Sequence, residues 1–265
     1  MFCLHERRSC NVKGNHNMLK FIDARCQLGR RSIVGEGEPT THEEILELMD
    51  RCHIEKAVAY HAIAKDGEMA GGNMELVKLT EGDDRFLRQW CAMPSAFGEF
   101  MSVEELFAGM KKYDVTSLRL LPKYCGYSLR PYALGKMMQA AADCKVPVFI
   151  NMEEVEIDAF YALCKDYPDV NFILGNTAYR MNRYFGPILE ECPNFYVTTG
   201  NYVSHTGIKT FCDHFGAQKL IFDTGLPTGS ATAAVSLISF AEISQEEKEL
   251  IAHGNIERLL AEVKL

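Results

Sequence analysis

Eight short apolar runs recur along the chain, at residues 21–29, 56–61, 86–93, 117–121, 146–151, 171–176, 195–199 and 219–223. Most of them stop at a polar residue, a glycine or a proline, which reads as a buried strand opening into a loop. Helical patterns lie between them. Thr41 to Glu44, Ser102 to Glu105 and Ser244 to Glu247 each spell a capping box. Ile45, Leu46, Leu48, Met49 and Cys52 follow the first box at helical spacing. Further helices are expected over 134–144, 157–166 and 234–240, and a glycine-bearing loop at 67–73 is expected to lead into another that ends near Leu79. Strands alternating with helices at intervals of about 24 to 36 residues are βα units. Near-continuous apolar strands covered by helices pair in parallel, and eight of them predict an α/β fold, a closed (β/α)8 TIM barrel in one domain over 18–265. Residues 1–17 lack periodicity and read as a loose extension.

In such a barrel the chemistry sits at the carboxyl ends of the strands. On the first strand, alternation predicts Asp23, Arg25 and Gln27 on one face and Ala24, Cys26 and Leu28 on the other. His61 ends the second strand and is a candidate general base, its ordinary pKa lying near neutrality, or else a hydrogen-bonded wall residue. Arg119 on the fourth strand is a candidate anion clamp or a residue paired to a helix. Glu153, Arg180 and His205 lie in loops just beyond strands five, six and seven, where ligands are met. The glycine-rich turn 224–230 reads as a phosphate-binding turn or a plain helix cap. Cys26 and Cys91 are expected in the core.

The bulk numbers narrow the partners. With 47% hydrophobic and 24% charged residues, the chain is ordinary globular material. A formal net charge of -8 argues against nucleic acid or an anionic membrane as partner. No run approaches the roughly 20 apolar residues of a membrane span, so a cytoplasmic location is expected. The ten cysteines are irregularly spaced and read as free thiols. Cys3, His5, Cys10 and His16 match no common zinc spacing. The sequence leaves the oligomeric state open, a homo-oligomer included.

Several segments, taken in order, resemble the amidohydrolase-related family of metal-dependent hydrolases. They are Ile22 to Gly29, Asp84 to Leu87, Pro147 to Asn151, Pro193 to Val197, Phe215 to Phe222 and Gly254 to Leu260. The resemblance implies a TIM barrel from about Met18 to Leu260. It also implies a metal held by a His-x-His pair on strand one, histidines at strands five and six, and an aspartate after strand eight. In this chain those positions are Arg25 and Gln27, Asn151, Asn176 and, if the family's proline is laid on Pro227, Gly225. Asp223 stands two residues earlier, on the same strand face and one layer deeper.

None of these replacements is a good zinc ligand, so no metal or other cofactor is expected. Arg25 offers a fixed cation in place of the dication. It is expected either to bind an anionic ligand or to pair with Asp23 or Asp223. The resulting expectation is a metal-independent, hydrolase-like barrel acting on a small carboxylated or otherwise anionic molecule. His61 and Asp223 would be its catalytic groups, and Arg25, Gln27, Arg119, Asn151, Asn176, Arg180 and His205 would contact the substrate. The alternative is a non-catalytic binding or interaction barrel.

Overall fold

All eight apolar runs form strands in the computed structural model, which describes residues 19–265. The expectations about residues 1–17, including Cys3, His5, Cys10 and His16, lie outside the described residues. The strands are β1 (Phe21–Leu28), β2 (Ile54–His61), β3 (Phe86–Ala92), β4 (Val115–Leu120), β5 (Val148–Asn151), β6 (Phe172–Gly175), β7 (Phe195–Thr198) and β8 (Leu220–Ile221). They pair in parallel in sequence order. The last gap is closed just beyond β8: Ala24 N donates to the Phe222 carbonyl at 3.0 Å and Gln27 N to the Leu226 carbonyl at 2.9 Å. The result is a nearly closed (β/α)8 barrel in one domain.

The three capping boxes at Thr41, Ser102 and Ser244 all form. The loop expected at 67–73 does not. A short helix (Ala62–Asp66) follows β2 at once, and a second (Met69–Leu79) runs through Gly71 and Gly72. Glu68 supplies that second start by accepting from Ala70 N and Gly71 N. Gly72 lies so close to the first helix that a Cβ would stand 2.1 Å from Ala64 N, so the glycine marks a helix contact and not a loop.

The barrel interior has two layers. Ile22, Ala24, Val58, Phe149, Ile173, Tyr196 and Ile221 fill the lower one, joined by Ile256 and Leu259 of the last helix (Asn255–Ala261). Cys26 and Leu28 pack instead with the residues beneath the outer helices, and so does Cys91. Ala24 therefore faces inward while Cys26 faces outward, against the simple alternation expected for β1. The cause is a register slip between Asp23 and Cys26 where β1 pairs with β2. Such a bulge inserts a residue and re-aims the side chains beyond it. Arg25 and Gln27 thereby turn into the upper half of the barrel. The eight cysteines among the described residues are free thiols.

Candidate functional site at the barrel mouth

The carboxyl ends of the strands surround a cavity of about 740 Å³ whose walls include Arg25, Gln27, Tyr60, Asn151, Asn176 and Asp223. The bulge in β1 sets the first of these. Asp23 accepts from Arg25 N at 3.0 Å and from Thr224 N at 2.9 Å, and the Thr224 hydroxyl donates to its other oxygen. A buried carboxyl thus ties β1 to the turn after β8. Burial first, and the nearby charge of Asp223 second, push the Asp23 pKa up to about 7.

Arg25 Nε donates to both oxygens of Asp223, at 3.0 and 2.9 Å. Burial works against the guanidinium charge, but Asp223 more than offsets it and holds Arg25 protonated. Thr198 Oγ1 donates to Asp223 Oδ2 at 2.7 Å, so this carboxylate is fully engaged. Beside them Gln27 is buried, and its Nε2 has no hydrogen-bond partner among the described residues.

A second polar chain crosses the interior. Arg119 is 1% exposed, donates from Nε to Gln89 Oε1 at 2.6 Å and from Nη1 to Asn151 Oδ1 at 3.0 Å, and lies 4.5 Å above the Tyr60 ring. No carboxylate of the described residues pairs with it; the cation–π contact and the two amide oxygens carry its charge. Asn151 Nδ2 then donates to Glu153 Oε1 at 3.0 Å, and Asn176 Nδ2 to Glu153 Oε2 at 2.9 Å. Asn176 follows Gly175 in the left-handed region at φ 55°, which asparagine tolerates well.

The structure therefore brings together Arg25, Gln27, Asn151, Asn176 and Asp223 at the cavity wall, with Arg119 directly behind Asn151 and Tyr60. It seats three other expected residues elsewhere. His61 caps the helix Ala62–Asp66, its Nδ1 accepting from Ile63 N at 3.2 Å, and burial lowers its pKa. Arg180 is exposed with its guanidinium against Tyr179, and His205 lies in an exposed loop beside a separate, smaller groove. Tyr60, Arg31 and Lys65 line the cavity without having been singled out in the sequence, and Thr224, Thr228, Gly229 and Ser230 of the expected turn 224–230 line it too. Tyr60 was within reach, since it lies two residues beyond the inward-facing Val58 on β2.

The turn 224–230 caps a helix (Ala231–Ser239), with Ser230 Oγ accepting from Ala233 N at 3.3 Å. Gly225 in that turn has φ 72°, and a Cβ there would stand 2.5 Å from Arg25 Nη2.

With this geometry in place, the chain matches the amidohydrolase family over residues 20–261, and it belongs to that family. Solved structures share the fold at low identity. The 5-carboxyvanillate decarboxylase of Sphingomonas paucimobilis is 12% identical with a TM-score of 0.72, over 92% of this chain and 99% of that one. A dihydroxybenzoic acid decarboxylase of Polaromonas, with bound manganese and 2-nitroresorcinol, is 14% identical with a TM-score of 0.69, over 92% and 97%. The 4-oxalomesaconate hydratase of Rhodopseudomonas palustris is 15% identical with a TM-score of 0.65, over 91% and 96%. No curated protein matches the chain in sequence.

The residues at the positions that the resemblance implies for the family's metal do not suit a metal ion. Arg25 puts a guanidinium among them, and Asn151 and Asn176 turn their N–H₂ groups toward Glu153. Gly225 has no side chain, and Asp223 is bound to Arg25. Among the described residues no three His, Cys, Asp or Glu side chains cluster as ligands would. Among the described residues no helix is long and apolar enough to cross a membrane.

Proposed function

We propose that the barrel mouth takes a small carboxylated molecule and that Arg25, fixed by Asp223, supplies the positive charge a metal supplies in the family's usual site. The Arg25–Asp223 pair inside the cavity carries this reading, because it sets a permanently charged planar donor at the metal position. Arg119 adds a buried positive charge behind Asn151. The acids named by the similar structures are carboxylated compounds, which agrees with an anionic ligand. On this reading a ligand carboxylate meets Arg25 and the amides of Gln27, Asn151 and Asn176. The chemistry that follows is metal-independent and of the hydrolytic or a related type.

A second reading has its own support. His61 is engaged as a helix cap, and Asp223 is already bonded to Arg25 and Thr198, which favours a barrel that binds without catalysis. Calorimetric titration of isophthalate into protein treated with EDTA tests the shared part. Binding that is unchanged by chelation and by added Mn²⁺ or Zn²⁺ is expected. A stoichiometric metal requirement overturns the metal-independent reading.

A further inference from the structure

We propose that Asn151 and Asn176 form a carboxylate cradle which Glu153 fills from within the protein, and that a ligand carboxylate enters by displacing Glu153. This rests on the reading of the barrel mouth as an anion site, and it assigns the ligand's carboxylate to one pair of residues.

The argument begins with direction. Asn151 Oδ1 accepts from Arg119 Nη1, which fixes the amide's orientation and turns its Nδ2 toward Glu153. That Nδ2 bonds one oxygen of Glu153, and Asn176 Nδ2 bonds the other. One N–H donor on each oxygen is the pattern by which a planar carboxylate is recognised. Behind the cradle the Arg119 guanidinium, buried and with no carboxylate of the described residues paired to it, makes the site favourable for an anion.

The occupant is poorly tied. Glu153 is exposed and forms no ion pair with any described residue, so the two amide bonds are its only side-chain partners there. The backbone that carries it is fixed independently, because the neighbouring Glu154 is buried and accepts from Tyr124 N at 2.9 Å. Rotation of Glu153 into solvent therefore needs no movement of the turn Met152–Glu154. A tethered carboxylate at this position competes with any free one and lowers its apparent affinity by the fraction of time the cradle is filled.

The test is calorimetric titration of isophthalate into the wild type, Glu153→Ala and Glu153→Gln, with the Asn151 and Asn176 side-chain amide resonances followed by NMR. Glu153→Ala is expected to bind about tenfold tighter, Glu153→Gln to fall between, and both amide resonances to move on substitution and again on titration. If the wild type binds and neither variant binds tighter, the displacement is overturned while the anion site stands. If Glu153→Ala weakens binding, Glu153 is part of the ligand site and the displacement is likewise overturned. If isophthalate binds none of the three, the anion-site reading falls and the cradle with it. Thermal melts confirm that each variant folds, and Glu153→Gln alone decides the matter should Glu153→Ala not fold.

Discussion

Gly225 and Arg25 are matched across the closing seam of the barrel: a Cβ on Gly225 would stand 2.5 Å from Arg25 Nη2. The resemblance lays Arg25 on a histidine and, with Pro227 on the family's proline, Gly225 on an aspartate, so a large side chain here faces a position with none. The guanidinium fills space that a side chain at 225 would claim. A side chain cannot be added at 225 without displacing the Arg25 guanidinium.

Gly225→Ala is expected to destabilise the protein by about 2 kcal/mol or more, from the left-handed backbone at φ 72° and the displaced guanidinium together. Urea denaturation measures it. In Arg25→Ala the steric part disappears, so Gly225→Ala made in that background is expected to cost only the backbone share, about 1 kcal/mol. Equal costs in both backgrounds would show that the two residues do not share this space.

Arg25→Ala leaves the buried Asp223 carboxylate without its cation, while Thr198 remains its hydrogen-bond donor. Breaking a buried pair from one side typically costs about 3 to 5 kcal/mol. Arg25→Ala with Asp223→Asn removes both charges and is expected to recover much of that loss. The same double variant is expected to lose isophthalate binding, which separates the stability of the pair from its use. A double variant as unstable as Arg25→Ala alone would mean that packing of the arginine, not its charge, matters.

Most of the barrel was legible because eight apolar runs with capped helices between them admit few other folds. What alternation on β1 could not show is the bulge between Asp23 and Cys26, since an inserted residue leaves no mark in a hydrophobic pattern. Arg25 and Gln27 were placed in the mouth correctly, but Ala24 was assigned to the wrong face. The helix Ala62–Asp66 was hidden for a related reason: its cap is a histidine, not one of the usual capping residues, and the glycines after it suggested a loop. That cap draws His61 away from the cavity and its helix brings Lys65 to the wall. The Asn151–Glu153–Asn176 arrangement joins residues from two strand ends and a turn, and only the closed barrel brings them together.

Asp23 gives a pH signature. Its folded pKa of about 7 lies above the ordinary value of 3.8, so the folded protein holds the proton more tightly than the unfolded chain. The stability from this group is fully present below about pH 4 and is lost as pH rises through about 7. Asp23→Asn keeps an oxygen for Thr224 N and removes the titration. The stability of the wild type minus that of Asp23→Asn is therefore expected to fall by several kcal/mol between pH 4 and pH 8. Denaturation curves at four pH values measure the difference, and a flat difference would show that Asp23 does not change its protonation across this range.

His61 separates structure from chemistry. Its Nδ1 accepts from Ile63 N and so must be unprotonated there, in keeping with a pKa lowered by burial. His61→Ala is expected to lose the cap, about 1 kcal/mol, and to leave isophthalate affinity unchanged because His61 is not among the cavity walls. His61→Asn, which restores a capping oxygen, is expected to return most of the stability. The wild type's depressed histidine pKa adds a second mark: this group's contribution is present above the ordinary value of 6.5 and is lost as pH falls through the lower folded value, and His61→Asn removes that dependence. Affinity that drops more than about threefold in both variants would place His61 in contact with the ligand and revive its role as a general base.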